Sequence, residues 1–154
     1  MKKEKIIQAV LKEAQKAKAK GEVPVGAVIV KDDKIIARGH NQRITKKNAL
    51  YHAEVVAIEK ACKKLGRWRL DGCELWVSLE PCLMCVGAIM QSRIKKVNFL
   101  AQDEKGGAII SKYSILDDKK LPFKVDYEFI PVDDARQILK DFFRDLRGKR
   151  QPLK

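Results

Sequence analysis

The chain has 154 residues, of which 45% are hydrophobic and 34% are charged, and its formal net charge at pH 7 is +13. This length and composition are typical of one globular domain with a sizeable core, which we predict over residues 1–154. No apolar run approaches the length of a membrane span, and no segment resembles a signal peptide. We therefore expect a cytoplasmic protein that does not enter a membrane.

The positive charge has two interpretations. Polyanions are the natural partners of a strongly basic surface, nucleic acid first and an anionic membrane surface second. The alternative is a lysine-rich surface that only keeps the protein soluble, and charge alone does not decide between them.

The four cysteines of a cytosolic chain should be reduced, so we expect no disulfide framework.

The hydrophobic pattern predicts the element order α-β-β-α-β-α-β-β-α. Residues 2–20 form an amphipathic helix that ends at Gly21. Val25–Lys31 is a nearly continuous apolar run, typical of a buried strand, and a turn at Asp32-Asp33 joins it to a strand over Lys34–Gly39. The later elements are a helix over 53–65, a strand over Glu74–Leu79, a helix over Cys82–Ser92, strands over Lys95–Ala101 and Val125–Phe129, and a helix over about 132–147.

The connections between strands predict the type of sheet. A helix separates the third strand from the fourth, so these two strands should be parallel, whereas the first two form an antiparallel hairpin. We therefore predict an α/β fold with three layers, α/β/α, around a central mixed five-stranded sheet.

Four residues in two short segments have the chemistry of a hydrolytic metal site. His52, Cys82 and Cys85 offer one imidazole and two thiols, a donor set that suits tetrahedral zinc with the fourth position open. Glu54 follows two residues after the histidine, where a proton carrier is needed beside a metal-bound water. Both segments lie at predicted helix N-termini, which favour thiolate over thiol. Helical spacing alone does not show how Glu54 reaches that water.

Three other interpretations compete with a catalytic metal. A C-x-x-C redox pair would leave His52 and Glu54 without a role. A structural zinc would need a fourth protein ligand, for which His40 and Cys73 are available. His52 could also be an ordinary hydrogen-bonded histidine, but the two thiols and the carboxylate that accompany it argue against that.

The pattern H-x-E followed by P-C-x-x-C is the signature of zinc-dependent nucleobase deaminases. These motifs are similar to those of the cytidine-deaminase-like superfamily, and within it the chain resembles the tRNA-specific adenosine deaminases. The segments that extend the resemblance over nearly the whole chain are Glu22–Ala27, Gly39–Asn41, Trp68–Cys73, Leu79–Cys82, Ser92–Ile94, Asp103–Gly107 and Phe142–Arg144. The chain departs from the family pattern at Ala49-Leu50-Tyr51, at Leu100 and at Ile110-Ser111, which we expect near the rim of the pocket.

The resemblance implies a reaction and a cofactor. The reaction is hydrolytic deamination of adenosine to inosine at the wobble position of a tRNA anticodon, in a homodimer with one zinc ion per subunit. Zinc on His52, Cys82 and Cys85 would bind and acidify the attacking water, and Glu54 would carry protons to the flipped-out base and to the leaving amine. The implied partner is the anticodon stem-loop.

The resemblance also implies residues that contact the RNA. Asn41 would hydrogen-bond the target base, although a turn asparagine at a strand end is the ordinary alternative. The pocket lining would come from Pro24, Val25 and Ala53. Asp103, Lys105 and Ser111 would meet nucleotides beside the target, unless this charged loop is only solvated.

Spacing in the last helix suggests a further RNA contact. Phe142 lies inside an apolar stripe and should be core, whereas Phe143 is displaced toward the rim. Arg147 is four residues further on and shares an edge with Phe143. An aromatic ring beside a guanidinium is a platform for an unstacked base, and Lys149, Arg150 and Lys154 would continue the positive charge. The alternative is that Phe143 widens the core stripe and the basic tail is solvated.

Two rival functions remain open. A deaminase of free guanine, cytosine or a nucleoside would belong to the same superfamily but would need no basic surface. A non-catalytic zinc-containing RNA-binding module would need neither Glu54 nor an open coordination position.

Overall fold

The computed structural model describes residues 2–150, apart from the side chain of Arg150. Within these residues four α-helices and one five-stranded sheet follow the predicted order, and every boundary lies within three residues of its prediction. The elements are α1 (Lys2–Ala19), β1 (Gly26–Lys31), β2 (Lys34–His40), α2 (Ala53–Leu65), β3 (Cys73–Val77), α3 (Leu83–Gln91), β4 (Lys96–Phe99), a 3-10 turn (Ile115–Asp117), β5 (Asp126–Phe129) and α4 (Asp133–Arg150).

The sheet has the strand order β2-β1-β3-β4-β5 and is mixed, as predicted. β1 is antiparallel to both β2 and β3, whereas β3, β4 and β5 run parallel to one another. Asp32 and Asp33 join β1 to β2 with φ angles of 50° and 62°. Two consecutive positive φ values are typical of the tight hairpin turn whose twist matches that of the strands.

The predicted three layers are confirmed by the two faces of β1. Ala27 and Ile29 pack into the core cluster that contains buried residues of α2 and α3. Val28 and Val30 point the other way and pack with buried residues of α1. Because helices cover both faces of the sheet, both sets of alternating side chains are apolar, and the strand has a continuous hydrophobic sequence.

The register of the strands brings four chain segments to one edge of the sheet. β3 and β4 are parallel, so the loops after Val77 and Phe99 leave at the same edge. β1 runs against β3, with Ala27 opposite Val77, so the start of β1 lies there too. Gly26 pairs with His40, which places the end of β2 at the same edge. This edge is where the predicted site residues converge.

Two predicted positions differ from the structure. Leu100 was expected near the pocket rim but is 1% exposed and packs in the cluster that contains α1. Its position directly after β4 turns its side chain into that layer. Phe142 was expected in the core but is only partly buried, and its ring lies edge-on against Phe143 at a centroid distance of 5.4 Å.

None of the helices in the described part of the chain combines the length and apolar composition needed to cross a bilayer.

Candidate active site

The three predicted metal ligands come together although they belong to distant segments. His52 directly precedes α2, Cys82 directly precedes α3, and Cys85 lies in the first turn of α3. Nδ1 of His52 is 3.6 Å from Sγ of Cys82 and 3.5 Å from Sγ of Cys85. The two helices begin side by side at the same edge of the sheet, which is why the donor atoms all lie within 4.8 Å of one another.

The donor set fits a catalytic zinc rather than a closed structural one. One imidazole nitrogen and two sulfurs are the ligands that zinc prefers, and catalytic sites leave the fourth position open. Within residues 2–150 no other histidine, cysteine or carboxylate joins this group. The two residues considered as a fourth ligand are engaged elsewhere: His40 Nδ1 lies 3.2 Å from Glu13 Oε1, and Cys73 is buried at the start of β3.

The protonation of the donor atoms follows from their mutual contacts. The pKa of Cys82 lies far below that of an ordinary thiol, mainly because the Cys85 thiol hydrogen-bonds to it and also because His52 does. The same bond, together with burial and the proximity of Glu54, raises the pKa of Cys85. The bond to Cys82 also raises the pKa of His52, against the effect of burial. A cation that binds all three atoms must therefore displace protons.

Glu54 is buried in the first turn of α2, beside the metal ligands. His52 has an extended backbone (φ −67°, ψ 157°) and lies outside the helix, so helical spacing does not relate the two residues. The Glu54 side chain is 4% exposed and interacts with Cys85. Burial raises the pKa of its carboxyl to about 7, against the nearby charge of His52. A carboxyl with such a pKa is suited to both accept and return a proton.

A cleft of about 1130 Å³ opens above these residues. It is lined by most of the predicted site residues, namely Val25, Asn41, His52, Ala53, Glu54, Cys82, Asp103, Lys105, Phe143 and Arg147. Pro24, Cys85 and Ser111 are the predicted residues that do not line it. The departures from the family pattern at Ala49-Leu50-Tyr51, Leu100 and Ile110 are also absent from its wall, contrary to expectation.

Sequence reasoning missed the basic side chains at the mouth of the cleft. Arg136, Lys140 and Arg144 line it together with Arg147, and Arg43 adds a further cation from the loop after β2. The spacing of four residues places the first three on one face of α4, which is a signal that the sequence already contained. The predicted tail residue Lys154 lies outside the described residues, as does the side chain of Arg150.

Hydrogen bonds hold the predicted RNA-contacting residues in place. Asn41 is buried at the end of β2, where its Nδ2 donates to Val23 O at 3.4 Å and its Oδ1 accepts from Arg43 N at 3.3 Å. Asp103 Oδ1 accepts from the backbone N–H groups of Lys105 and Gly106 at 3.1 Å and 3.2 Å, which closes a turn at the rim.

Ser111, another predicted RNA contact, does not line the cleft but is bonded to Glu80, which does. Its hydroxyl donates to the carboxylate of Glu80, and its backbone N–H donates to the same group at 3.0 Å. A direct contact with RNA would have to compete with this bond.

Comparison with known proteins agrees with this geometry. Residues 1–147 match the model of the MafB19-like deaminase family. The tRNA-specific adenosine deaminase of Aquifex aeolicus is 46% identical over 148 residues, which cover 96% of this chain and 98% of the relative. The chain belongs to the tRNA-specific adenosine deaminases. The Bacillus subtilis member of this family is 44% identical over 142 residues, or 92% of this chain and 88% of the relative.

Two solved structures of deaminases are similar to this chain. One from studies of A-to-I editing by tRNA:A34 deaminases at the wobble position of transfer RNA has a TM-score of 0.84 and 37% identity, over 87% of this chain and 98% of its own. The guanine deaminase of Bacillus subtilis has a TM-score of 0.62 and 33% identity, over 92% and 93%. As a tRNA-specific adenosine deaminase, the chain is a hydrolase, which confirms the predicted enzyme class.

Proposed function

We propose that this enzyme is a zinc-dependent deaminase of the wobble adenosine in a tRNA anticodon. The observation that carries the proposal is one cleft that is lined by His52, Cys82 and Glu54, with Cys85 clustered behind the first two, and that also carries basic side chains. The reaction adds water to adenosine and releases inosine and ammonia. The relatives named as tRNA-specific adenosine deaminases and the tRNA:A34 deaminase structure support this substrate.

Nδ1 of His52 and the two sulfur atoms of Cys82 and Cys85 would hold the zinc ion. When bound, zinc supplies a water molecule whose pKa is lowered toward neutrality, which makes a nucleophile available at physiological pH. The three donors form the site only in the folded chain, because two of them precede different helices. Their assignment as ligands, with one ion per subunit, is part of the proposal.

Glu54 moves the protons of the reaction. Its carboxylate accepts a proton from the attacking water and delivers a proton to N1 of the adenine, which makes C6 more electrophilic. It then takes the proton of the new hydroxyl group on C6 and gives it to the departing amine, so that the C6–N bond breaks, the C6 carbonyl of inosine forms and ammonia leaves. Burial raises the pKa of Glu54 above that of an ordinary carboxyl, which favours the return of the proton that it accepts.

The walls of the cleft bind the flipped-out adenosine and its neighbours. Val25 and Ala53 provide apolar contacts beside the buried Pro24. Asn41 offers a buried amide whose orientation is set by its hydrogen bonds to the backbone. Asp103, Lys105 and Ser111 belong to the loop that meets the adjacent nucleotides. A flipped base held in this way exposes C6 to the water beside Glu54.

The outer part of the cleft binds the stem-loop. Phe143 is 41% exposed and lines the cleft together with Arg147, so the ring and the guanidinium offer a stacking surface for an unpaired base. The cations of Arg43, Arg136 and Lys140 face the phosphates. These contacts use the positive charge of the protein, which a free-base deaminase does not need. The homodimer that the family resemblance implies stays a prediction.

The direct test is to incubate the purified protein with total tRNA and with an anticodon stem-loop, followed by nucleoside analysis. We expect inosine from the stem-loop with adenosine at the wobble position and none when guanosine replaces it. Removal of zinc by a chelator should abolish the product, and added zinc should restore it. Efficient turnover of free guanine or cytosine, with none of tRNA, would instead support the rival deaminase, whose fold this chain shares.

A further inference from the structure

Glu80 is a buried carboxylate that the proposed reaction does not use. It lies two residues before Cys82 in the loop after β3, and it is 2% exposed. Its side chain is bound by the loop that follows β4, not by the proposed metal ligands. Both loops leave the same edge of the sheet, and Glu80 lines the same cleft as Cys82 and Asp103.

The carboxylate of Glu80 collects five hydrogen bonds from that loop. Its Oε2 accepts the backbone N–H groups of Ile109, Ile110 and Ser111 at 3.0, 2.8 and 3.0 Å. Its Oε1 accepts the backbone N–H of Asp103 at 3.1 Å and the hydroxyl of Ser111. Bonds to a charged acceptor are stronger than neutral ones, so one side chain joins both ends of the segment over 103–111.

The loop wraps closely around this carboxylate. A Cβ atom added to Gly107 would clash with the carboxyl group of Glu80 and would lie 2.6 Å from the carbonyl oxygen of Asp103. The loop therefore reaches this position only because residue 107 has no side chain. Backbone bonds add to the connection, since Ala108 N donates to Pro81 O at 2.9 Å and Glu80 N donates to Ala101 O at 2.8 Å.

The segment that Glu80 holds forms part of the cleft wall. Residues 102–105 line the cleft, and the Asp103 backbone N–H at its centre is one of the groups bound to Glu80. The chain then runs from Glu80 through Pro81 directly to the Cys82 ligand. A shift of the Glu80 carboxylate would thus alter the distance between the rim and the metal cluster.

We infer that Glu80 is a positioning residue, which holds the rim segment 102–105 at a set distance from the Cys82 ligand. This inference rests on the proposed function, because the rim segment is where the RNA is proposed to bind. Within the described residues, every hydrogen bond of the Glu80 carboxylate goes to the loop over 103–111, and none goes to Glu54 or to the proposed metal ligands. Its loss should therefore impair binding of the RNA more than the chemical step or the binding of zinc.

The test compares Glu80→Gln with the control Glu13→Gln. Glutamine at position 80 would keep one acceptor oxygen but would replace the other with an NH₂ group, which cannot accept a hydrogen bond. Either the bond from Asp103 N or the bonds from the backbone of 109–111 would therefore be lost. Glu13 is a carboxylate of similar burial, 3% exposed, but it binds Lys16 and His40 and does not line the cleft. Both variants remove one buried negative charge, so they separate the effect of the position from that of the charge.

Three measurements are made on the zinc-loaded proteins: zinc content, hydrogen exchange of backbone amides, and KM and kcat for the anticodon stem-loop. For Glu80→Gln we expect full zinc content and faster exchange of the Asp103 and Ile109–Ser111 amides. We also expect KM to rise about tenfold or more with a smaller change in kcat. Glu13→Gln should leave the exchange of these amides and the KM unchanged.

The inference is overturned if Glu80→Gln leaves both KM and the exchange of these amides unchanged, even when the melting temperature falls. Loss of zinc from Glu80→Gln would also overturn it, because Glu80 would then support the metal site itself. If the wild-type enzyme fails to deaminate the stem-loop, the proposed function is wrong. Amide exchange and zinc content would still decide whether Glu80 holds the rim.

Discussion

Nδ1 of His52 lies 3.5 Å from Sγ of Cys85, across 33 residues of sequence. The two residues lie at the N-termini of α2 and α3, which begin side by side. The preformed cluster holds its protons tightly, since the contact with Cys82 raises the pKa of both His52 and Cys85. The energetics of metal binding should therefore depend on pH.

We expect zinc to bind more weakly as the pH falls. Groups whose pKa is raised in the metal-free protein must lose their protons when the ion binds, so low pH favours the metal-free form. Calorimetric titration of chelator-treated protein, in buffers of different ionisation enthalpy, measures the protons released. Cys85→Ser should release fewer protons and bind zinc more weakly, whereas Cys73→Ser should behave as wild type. Zinc affinity that is independent of pH would contradict the assignment.

Glu54→Gln should keep zinc content and RNA affinity but lose activity. General acid–base catalysis contributes about 10²–10⁴-fold, so we expect a loss of this order in kcat. In the wild type the carboxyl must be ionised to accept the first proton. Its pKa is raised to about 7 by burial, and a bound cation would lower that value, so kcat/KM should fall with decreasing pH at or below about pH 7. Near-normal turnover by Glu54→Gln would exclude the role.

The two adjacent phenylalanines of α4 should respond differently to truncation. Phe143→Ala should weaken RNA binding by about 1–3 kcal/mol, the value of stacking one base, with little change in melting temperature. Phe142→Ala should lower the melting temperature instead. Because Phe142 is only partly buried, we expect less than the roughly 3–5 kcal/mol that truncation of a fully buried phenylalanine costs. The stacking proposal fails if Phe143→Ala lowers the melting temperature and leaves RNA affinity unchanged.

Lys140 provides a test of the basic mouth of the cleft. Lys140→Ala should weaken binding of the stem-loop and reduce the slope of log affinity against log salt by about 1, as expected for one phosphate contact. Lys64→Ala is the matched control, because Lys64 is exposed near the end of α2, does not line the cleft and carries the same charge. Binding is measured at several salt concentrations. Equal effects of both substitutions would show that the charge acts without a defined contact.

Glu22 should make the stability of the fold depend on pH. It is fully buried and accepts hydrogen bonds from the backbone N–H groups of Ile44 and Thr45 and from the Thr45 hydroxyl. Burial raises the pKa of Glu22, but these bonds outweigh burial and lower it below its ordinary value. Its contribution is thus present above the unfolded-state pKa and lost as the pH falls through the folded-state pKa.

The measurement for Glu22 is the free energy of unfolding of wild type and Glu22→Gln as a function of pH. The variant should be less stable near neutral pH, and the difference between the two proteins should shrink on acidification. A difference that stays constant across the acid range would argue against the ionised, hydrogen-bonded carboxylate.

The positions of Leu100, Phe142 and Glu54 show where sequence reasoning reached its limit. Leu100 comes directly after a strand, and Phe142 lies inside the apolar stripe of a helix, but in both cases the neighbouring elements decide how far the side chain is buried. Glu54 was recognised by its spacing from His52, but its approach to Cys85 depends on the extended backbone of His52 and on the adjacent start of α3. These are contacts between segments that are distant in the chain.

The order of the elements, the parallel pairing of β3 and β4 and the donor set of His52, Cys82 and Cys85 were all contained in the sequence. Their signals are local, because periodicity, turn residues and ligand spacing act over a few residues. The tertiary structure alone showed the contacts of Glu80, because no local pattern in the sequence indicates its hydrogen-bond partners. Its five hydrogen-bond donors lie 23 to 31 residues away, and only the parallel strands that return the chain to one edge of the sheet bring them within bonding distance.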